Sequence, residues 1–187
     1  MRIIAGAFRG RRLASLGAGD TGAHLRPTSD RVRESLFNIL SSQDAVAGAR
    51  VLDLFAGTGA LGLEALSRGA AQATFVEQGR KALDILQQNI ALCRAGAETR
   101  LLRQDARRLG AHDGPGFDLV FLDPPYGKGL GEEALASALS GGWIASGARV
   151  VWEESAPIAP PPDLRQTDAR RYGDTVISLL VRDGRES

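Results

Sequence analysis

From residue 50 onward, short apolar runs alternate with segments of helical periodicity, and this alternation constrains the fold more than any other feature. The apolar runs read VLDLFA, ATFVE, TRLLRQD, FDLVFLD and ARVVWEE. ALGLEALSRG and RKALDILQQNIALCRAG lie between the early runs and have the spacing of helices. In the second of these, one face carries Ala82, Leu86, Ile90 and Cys93. Strands that alternate with helices predict a mostly parallel α/β sheet with helices on both faces.

The last part of the chain, LRQTDARRYGDTVISLLVR, predicts two further strands around Tyr172-Gly173-Asp174. We expect these strands to form an antiparallel hairpin at the end of a seven-stranded, Rossmann-like sheet. Trp143 and Trp152 fit as core or edge packing residues, and we assign them no function.

The region before residue 50 has a different pattern. RIIAGAFRGRRLAS alternates weakly and carries Gly6 and Gly10, which predicts a short strand or a β-hairpin. A glycine-rich loop follows, and Pro27 with Thr28 predicts the start of a helix. That helix places apolar residues on one face, toward a core, and arginines elsewhere. The apolar positions are Val32, Leu36, Ile39 and Leu40.

A chain of 187 residues, 43% of them hydrophobic, can bury one ordinary core with a small appendage. We therefore divide it into a basic N-terminal hairpin or arm at 1–25 and one main domain at 26–187. The net charge of +1 indicates little, but residues 1–33 hold seven arginines against Asp20 and Asp30. Such asymmetry is typical of nucleic-acid contact, although a solvated basic arm is the alternative. The candidate nucleic-acid-binding residues are Arg9, Arg11, Arg12, Arg26 and Arg31.

Several other classes of protein are disfavoured. The single cysteine, Cys93, cannot form an internal disulfide and falls on an apolar helix face, where a buried inert thiol is expected. His24 and His112 have no companion ligands, so no metal site is expected. No run approaches ~20 apolar residues, and MRIIAGAFRGRRL has its charges in the wrong order for a signal peptide. We expect a cytoplasmic protein with no membrane partner.

A glycine loop follows the first strand of the main domain. Gly57-x-Gly59-x-x-Gly62 lies between a predicted strand and a predicted helix, and Glu77 comes twenty residues after Gly57. This spacing fits a dinucleotide site, because glycines let the backbone approach a ligand and the helix start offers free N–H groups. S-adenosylmethionine is the competing ligand. Whichever of the two ligands binds, the Glu77 carboxylate can accept hydrogen bonds from both ribose hydroxyls.

Asp53, in the strand just before the glycine loop, favours one of these ligands. A carboxylate there repels a pyrophosphate and attracts an ammonium or sulfonium group, so S-adenosylmethionine fits better. The alternative is that Asp53 caps the glycine turn. Asp105 ends the third strand and can accept the adenine amine, although an aspartate after a strand is often only a turn former.

The fourth strand ends in LDPPYGKGL, where a carboxylate is followed by two prolines and an aromatic residue. An amine on an aromatic ring is a poor nucleophile, and two acceptors at its N–H bonds can turn the lone pair out of the ring plane. Asp123 and the carbonyl of Pro124 supply these acceptors, because residues before proline are held extended. Tyr126 offers a flat face for stacking a base. The alternative is a proline-rich turn without a catalytic role.

These residues resemble the S-adenosylmethionine-dependent amino-methyltransferases, whose mark is Asp/Asn-Pro-Pro-aromatic. The likeness extends through RIIAGAFRGRRL, RPTSDRVRESLFNIL, LDLFAGTGALGLEALSRGA, FVE, LDPPY and RYGDT, which are similar in order to the RsmD family. That family methylates the N(2) amine of one guanine in 16S ribosomal RNA. The resemblance covers nearly the whole chain, except the loop 14–24 and APIAPPPD.

The resemblance implies a class I methyltransferase domain at 26–187, with S-adenosylmethionine as cofactor. It implies that the amine and base site is formed by Asp123, Pro124, Pro125 and Tyr126. It implies that the cofactor is lined by Asp53, Phe55, Gly57, Gly59, Glu77 and Asp105. The implied substrate is 16S ribosomal RNA in an assembling small ribosomal subunit, and we expect the enzyme to act as a monomer. Arg26, Thr28 and Arg31 are candidates to close over the cofactor or the RNA.

Four other functions remain open at this point. N6-adenine methylation of DNA would suit the same corner, but the chain has no room for a separate target-recognition domain. Glutamine methylation of a protein resembles Asn-Pro-Pro-Tyr instead of the Asp found here. A NAD-dependent oxidoreductase would explain the glycines but not DPPY, and a non-catalytic RNA-binding module would explain the arginines but neither motif.

Overall fold

A computed structural model describes residues 1–15 and 29–184 of the chain. The predicted helix-start residues Pro27 and Thr28, together with Arg26 and His24, lie outside this part. The strands are β1 Arg50–Leu54, β2 Gln72–Val76, β3 Thr99–Leu102, β4 Phe117–Leu122, β5 Ile144–Glu154, β6 Leu164–Tyr172 and β7 Thr175–Arg182. The α-helices are α1 Asp30–Ser42, α2 Ala60–Ser67, α3 Arg80–Cys93 and α4 Leu130–Ser140, with short 3-10 helices at Gly96–Glu98 and Ala106–Arg108.

The seven strands form one sheet in the order β3-β2-β1-β4-β5-β7-β6. Strands β1 to β5 pair in parallel, whereas β7 runs antiparallel between β5 and β6. The predicted C-terminal hairpin is confirmed, since β6 and β7 are joined by Gly173 and Asp174. Gly173 has φ +61°, a left-handed conformation that glycine adopts without a steric cost.

Helices cover both faces of the sheet, as the alternation predicts. On one face, α1, α2 and α3 bury Phe37, Leu63 and Leu86 against the sheet. On the other face, α4 buries Leu135 in a second core cluster. That cluster also contains Trp143 and Trp152, so their assignment to packing is confirmed. Within 1–15 and 29–184, no helix is both long and apolar enough to span a bilayer.

Helix α1 differs from the sequence prediction in one respect: it buries an arginine. Its N-cap is Ser29, whose hydroxyl accepts the N–H of Val32 at 3.3 Å. Arg33 is fully buried instead of lying on the solvent face. The Arg33 guanidinium donates to the carbonyl of Arg2 and to Asp30 Oδ1, and it lies 3.9 Å from the buried carboxylate of Glu64. These partners compensate a charge that helical periodicity alone places in water.

The N-terminal segment, which we define as residues 1–15, forms the predicted hairpin. It has one antiparallel bridge, Arg2 with Arg12, and the N–H of Ile3 donates across it to the carbonyl of Arg11 at 3.0 Å. Other N–H groups of the segment donate to α2. The N–H of Ile4 bonds Glu64 Oε2 at 2.8 Å, and the N–H of Phe8 bonds Ser67 Oγ at 2.9 Å. The segment is therefore docked on α2, while the predicted boundary at residue 25 falls outside the described residues and stays a prediction.

Candidate active site

The glycine loop and the Asp-Pro-Pro-Tyr corner lie side by side at the carboxyl edge of the sheet. In the β1–β4 pair, Asp53 is opposite Phe121 and Leu54 is opposite Leu122. Asp123 is the next residue after β4, so it emerges beside the start of the glycine loop, at the edge where parallel sheets bind their ligands. The sequence prediction that these two motifs share one edge is borne out by this register.

The same edge carries acidic side chains from five consecutive strands of the sheet. In spatial order from β3 to β5 they are Asp105, Glu77, Asp53, Asp123 and Glu153. Within the described residues, no group of histidine, cysteine or acidic side chains is arranged to hold a metal ion. A row of carboxylates suits a small organic cation and opposes a pyrophosphate.

The glycine loop holds unusual backbone conformations. Gly57 has φ +54° and Gly59 has φ +76°, and a Cβ atom on Gly59 would lie 2.3 Å from Leu86 Cδ1. Phe55, which precedes these glycines, also has a positive φ, +60°. A bulky residue in this region is strained, and such strain concentrates at functional sites. The loop therefore has a backbone conformation, with three positive φ angles, that a regular strand-to-helix turn does not need.

Asp53 supports the glycine loop from beneath. Only 2% of the residue is exposed, and its Oδ2 accepts the N–H of Gly62 at 3.0 Å. The capping contact that the sequence left as an alternative is therefore present. Burial raises the pKa of Asp53 to about 8, with a smaller upward contribution from Glu77 and opposition from the Gly62 hydrogen bond.

The raised pKa of Asp53 predicts a pH-dependent stability. The folded protein keeps a proton that the unfolded chain loses above about pH 4, so the free energy of unfolding falls as the pH rises from there to about 8. We expect Asp53→Asn to resist denaturant better than the wild type at about pH 9, since asparagine can still accept from Gly62 and cannot ionise. Urea denaturation across this pH range measures the effect. The exposed control Asp113→Asn should follow the wild type, and identical profiles for all three proteins would contradict the assignment.

Glu77 and Asp105, the other predicted cofactor contacts, both bond to nearby backbone. The Glu77 carboxylate accepts the N–H of Gly57 at 2.9 Å and that of Gly79 at 2.7 Å, which holds the loop against the end of β2. Asp105 accepts the backbone N–H of Arg107 and pairs with its guanidinium at 2.7 Å. These Arg107 contacts lower the pKa of Asp105. Asp105 thus forms a turn, which was the alternative role considered in the sequence analysis. Its contact with adenine stays a prediction.

At the Asp-Pro-Pro-Tyr corner, two acceptors face no donor from the described residues. Among residues 1–15 and 29–184, no group donates a hydrogen bond to the Asp123 carboxylate or to the carbonyl of Pro124. Burial raises the pKa of Asp123 well above its ordinary value, and the neighbouring charges of Glu153, Asp53 and Glu154 raise it further. The corner therefore presents two hydrogen-bond acceptors, and it resists carrying the full negative charge of Asp123.

Tyr126 is fixed by residues that the sequence analysis missed. Its hydroxyl donates to Glu153 Oε1 at 2.6 Å and lies 3.2 Å from Thr175 Oγ1. Burial and the contact with Glu153 raise the pKa of this phenol, so it stays protonated. Two signals could have identified these partners: Glu153 is the penultimate residue of a parallel strand at the same edge, and Thr175 lies within RYGDT.

The predicted RNA-binding arginines differ in their surroundings. Arg9, Arg12 and Arg31 are exposed, and Arg9 and Arg31 line a cleft of about 400 Å³ between the N-terminal segment and α1. Arg11 instead donates to the carbonyl of Leu92 at 2.8 Å and stacks on Phe8. Arg26 lies outside the described residues. Exposed guanidinium groups are suited to phosphate contacts.

The strand order, the glycine loop and the Asp-Pro-Pro-Tyr corner together define a Rossmann-like class I methyltransferase. Residues 1–181 match the family described as Conserved hypothetical protein 95, and the chain belongs to this family. It is 43% identical over 153 residues to ribosomal RNA small subunit methyltransferase D of Escherichia coli K12, covering 82% of this chain and 74% of that protein. The predicted RsmD resemblance is thereby confirmed.

Other relatives agree with this assignment. The putative rRNA methyltransferase YlbH of Bacillus subtilis is 33% identical over 190 residues, which cover 98% of this chain and all of that protein. The solved structure of the putative methyltransferase YhhF from Escherichia coli superposes with a TM-score of 0.86 at 38% identity, and 99% of each chain is covered. The chain is therefore a methyltransferase, and the DNA-adenine alternative is not favoured.

Proposed function

We propose that this enzyme transfers a methyl group from S-adenosylmethionine to the N(2) amine of a guanine in small-subunit ribosomal RNA. The observation that carries this proposal is the position of Asp123 and Pro124. These two acceptors, which receive no hydrogen bond from residues 1–15 or 29–184, lie next to the glycine loop, at the separation of neighbouring strands. The names of the ribosomal RNA methyltransferase relatives support the choice of substrate.

The residues at the edge fit S-adenosylmethionine. When bound, the cofactor supplies an electrophilic methyl group on a positively charged sulfur. Phe55, Gly57 and Gly59 would hold it through their backbone, and Glu77 would take the ribose hydroxyls. Asp53 would hold the loop from beneath through its hydrogen bond from Gly62, and Asp105 is the candidate partner for adenine. The acidic edge attracts a sulfonium, which supports this cofactor over a dinucleotide.

Asp123 and Pro124 would act on the amine of the base. Asp123 accepts one N–H and the Pro124 carbonyl accepts the other, so the lone pair of the nitrogen points toward the cofactor site. Pro125 fixes the backbone of Pro124, and the ring of Tyr126 stacks on the base. Alignment of two bound reactants can supply up to ~7–11 kcal/mol of the acceleration. The carboxylate of Asp123 also stabilises the positive charge that develops on nitrogen.

Exposed arginines of the N-terminal segment and of α1 would orient the RNA. Arg9, Arg12 and Arg31 can contact phosphates, which give affinity and orientation without reading sequence. Arg11 would act indirectly, by holding the N-terminal segment on α3. We further propose that the enzyme acts as a monomer in the cytoplasm. Its substrate would be a small ribosomal subunit that is still assembling.

Mass analysis of ribosomal RNA tests this function. We expect small-subunit RNA from a strain that lacks the gene to lose one N(2)-methylguanine, and the purified enzyme to restore it with tritium-labelled S-adenosylmethionine. The restoring reaction should be tried on naked RNA and on small subunits from the same strain. Unaltered ribosomal RNA in the deletion strain, or transfer to a DNA adenine, would contradict the proposal.

The raised pKa of Asp123 predicts the pH dependence of turnover. Activity should fall as the pH falls through this pKa, because the protonated group no longer accepts strongly or offsets positive charge. Glu153→Gln removes the largest charge contribution to that pKa and can still accept from Tyr126, so the acidic limb of the kcat profile should move to lower pH. The matched control is Glu132→Gln, at an exposed position of α4. A limb that stays in place in Glu153→Gln would show that Asp123 does not control it.

A further inference from the structure

Asn89 in α3 connects two parts of the molecule that are distant in sequence. It is fully buried, and its side chain makes three hydrogen bonds. Its Oδ1 accepts the N–H of Ala14 at 2.7 Å, and its Nδ2 donates to the carbonyl of Ala14 at 3.1 Å. The same Nδ2 donates to the carbonyl of Thr58 at 2.9 Å. One amide therefore joins the N-terminal segment to the glycine loop.

Thr58 is the residue between the two glycines whose backbone faces the proposed cofactor site. Its carbonyl belongs to the peptide unit that carries the N–H of Gly59, which donates to Ala56 at 2.7 Å. Fixing this carbonyl fixes the plane of the peptide, because the unit is rigid. Glu77 holds the loop at Gly57 and Asp53 holds it at Gly62, so Asn89 supplies the anchor between them.

The N-terminal segment has a second attachment, at the far end of α2, whose first residue follows the glycine loop. Glu64 accepts the N–H groups of Ile4 and Ala5, and Ser67 accepts those of Ala7 and Phe8. The segment is thus bound to α2 near its start and to the glycine loop, through Asn89, near its end. A shift of the segment must move Asn89, the loop or both.

We propose that Asn89 is a positioning residue that couples docking of the N-terminal segment to cofactor binding at the glycine loop. This inference rests on the proposed function, since it takes S-adenosylmethionine as the ligand of that loop. By linkage, the cofactor strengthens docking of the segment by the same factor by which docking strengthens cofactor binding. The basic segment proposed to meet RNA would therefore be most firmly seated when the methyl donor is bound.

Asn89→Asp is the sharpest variant, because it keeps the volume and the acceptor for the Ala14 N–H but removes the donor to the carbonyls of Thr58 and Ala14. We expect it to bind S-adenosylhomocysteine about 10-fold more weakly by calorimetry. The matched control is Asn38→Asp, at an exposed position of α1, which should bind like the wild type. Hydrogen exchange gives a readout that a purely structural role would not move. S-adenosylhomocysteine should slow exchange in residues 3–14 of the wild type and not in Asn89→Asp.

A pair of glycines tests the coupling from the other side. Gly6 and Gly10 have similar φ angles, +82° and +80°. A Cβ on Gly6 would lie 1.7 Å from the carbonyl oxygen of Ser67, whereas one on Gly10 would meet no atom within 4 Å. Gly6→Ala should therefore displace the segment and weaken S-adenosylhomocysteine binding, although Gly6 does not touch the glycine loop. Gly10→Ala should bind like the wild type.

The outcomes separate this inference from the proposed function. Wild-type affinity in both Asn89→Asp and Gly6→Ala, with native circular dichroism, would overturn the coupling alone. A wild-type protein that binds no S-adenosylhomocysteine would overturn the proposed cofactor, and the coupling with it. If Asn89→Asp fails to fold, the Gly6→Ala and Gly10→Ala pair decides the question.

Discussion

Asp123→Ala is expected to lower methyl transfer about 100- to 1,000-fold, the usual cost of removing a preorganised group that stabilises transition-state charge. The variant loses the acceptor that orients the amine and the charge that offsets the cation forming on nitrogen. Binding of S-adenosylhomocysteine should be little changed, because this product lacks the sulfonium charge and contacts the glycine loop. A tritium-methyl assay and calorimetry on the same preparation separate the two effects.

Asp123→Ala should also fold at least as stably as the wild type. Burial and three neighbouring carboxylates raise the pKa of Asp123, which means that its ionised form destabilises the folded protein near neutral pH. Removing such a group relieves repulsion at the expense of activity, the trade-off expected of a functional residue. Asp113→Ala, at an exposed loop position, is the control and should keep full turnover. Unchanged turnover in Asp123→Ala would remove this residue from the chemistry.

Gly62→Ala is expected to lower the free energy of unfolding by about 1–3 kcal/mol, the range found when a well-packed core is overfilled. Within a helix, alanine is normally favoured over glycine by about 1 kcal/mol, so the expected sign is the reverse of the helix propensity. The reason is local. A Cβ at Gly62 would lie 2.3 Å from Phe75 Cε1 and 3.1 Å from Asp53 Oδ2. Relief of these contacts moves α2 away from the aspartate that supports the loop.

Chemical denaturation of Gly62→Ala, together with S-adenosylhomocysteine binding, measures both consequences. We expect lower stability and weaker binding, since the helix start and the loop shift together. Gly96→Ala is a matched control, because a Cβ there would meet no atom within 4 Å. It should be close to the wild type in both measurements. A Gly62→Ala protein that is more stable than the wild type would mean that α2 is not packed as tightly as the structure has it.

The sheet and the shared edge of the site could be predicted from local sequence. Apolar runs of strand length and helical spacing are local patterns, and parallel pairing places every strand's carboxyl end at one edge. The proximity of Asp123 to the loop at Gly57 followed from that rule without any knowledge of side-chain contacts. Cys93 on the apolar face of α3 and the turn at Gly173 were predicted in the same way, and both are found there.

The contacts that sequence reasoning missed join residues far apart in the chain. Arg33 was placed in solvent because its buried partner, Glu64, lies in another helix. The expected N-terminal hairpin is present, but the acceptors that the N–H groups of Ile4 and Phe8 find on α2 were not predicted. Glu153 and Asn89 each contact one of the two motifs, and no periodicity links them to Tyr126 or Thr58. Such pairings depend on tertiary packing, which local patterns do not encode.

A crystal structure of the enzyme with S-adenosylmethionine tests the central claim most directly, because it locates the transferable methyl group relative to Asp123. The account predicts a methyl carbon about 6 Å from the Asp123 carboxylate, which is one hydrogen bond plus one attack distance and leaves room for a single amine nitrogen between them. A cofactor bound elsewhere, or a methyl group turned away from Asp123 and Pro124, would contradict it.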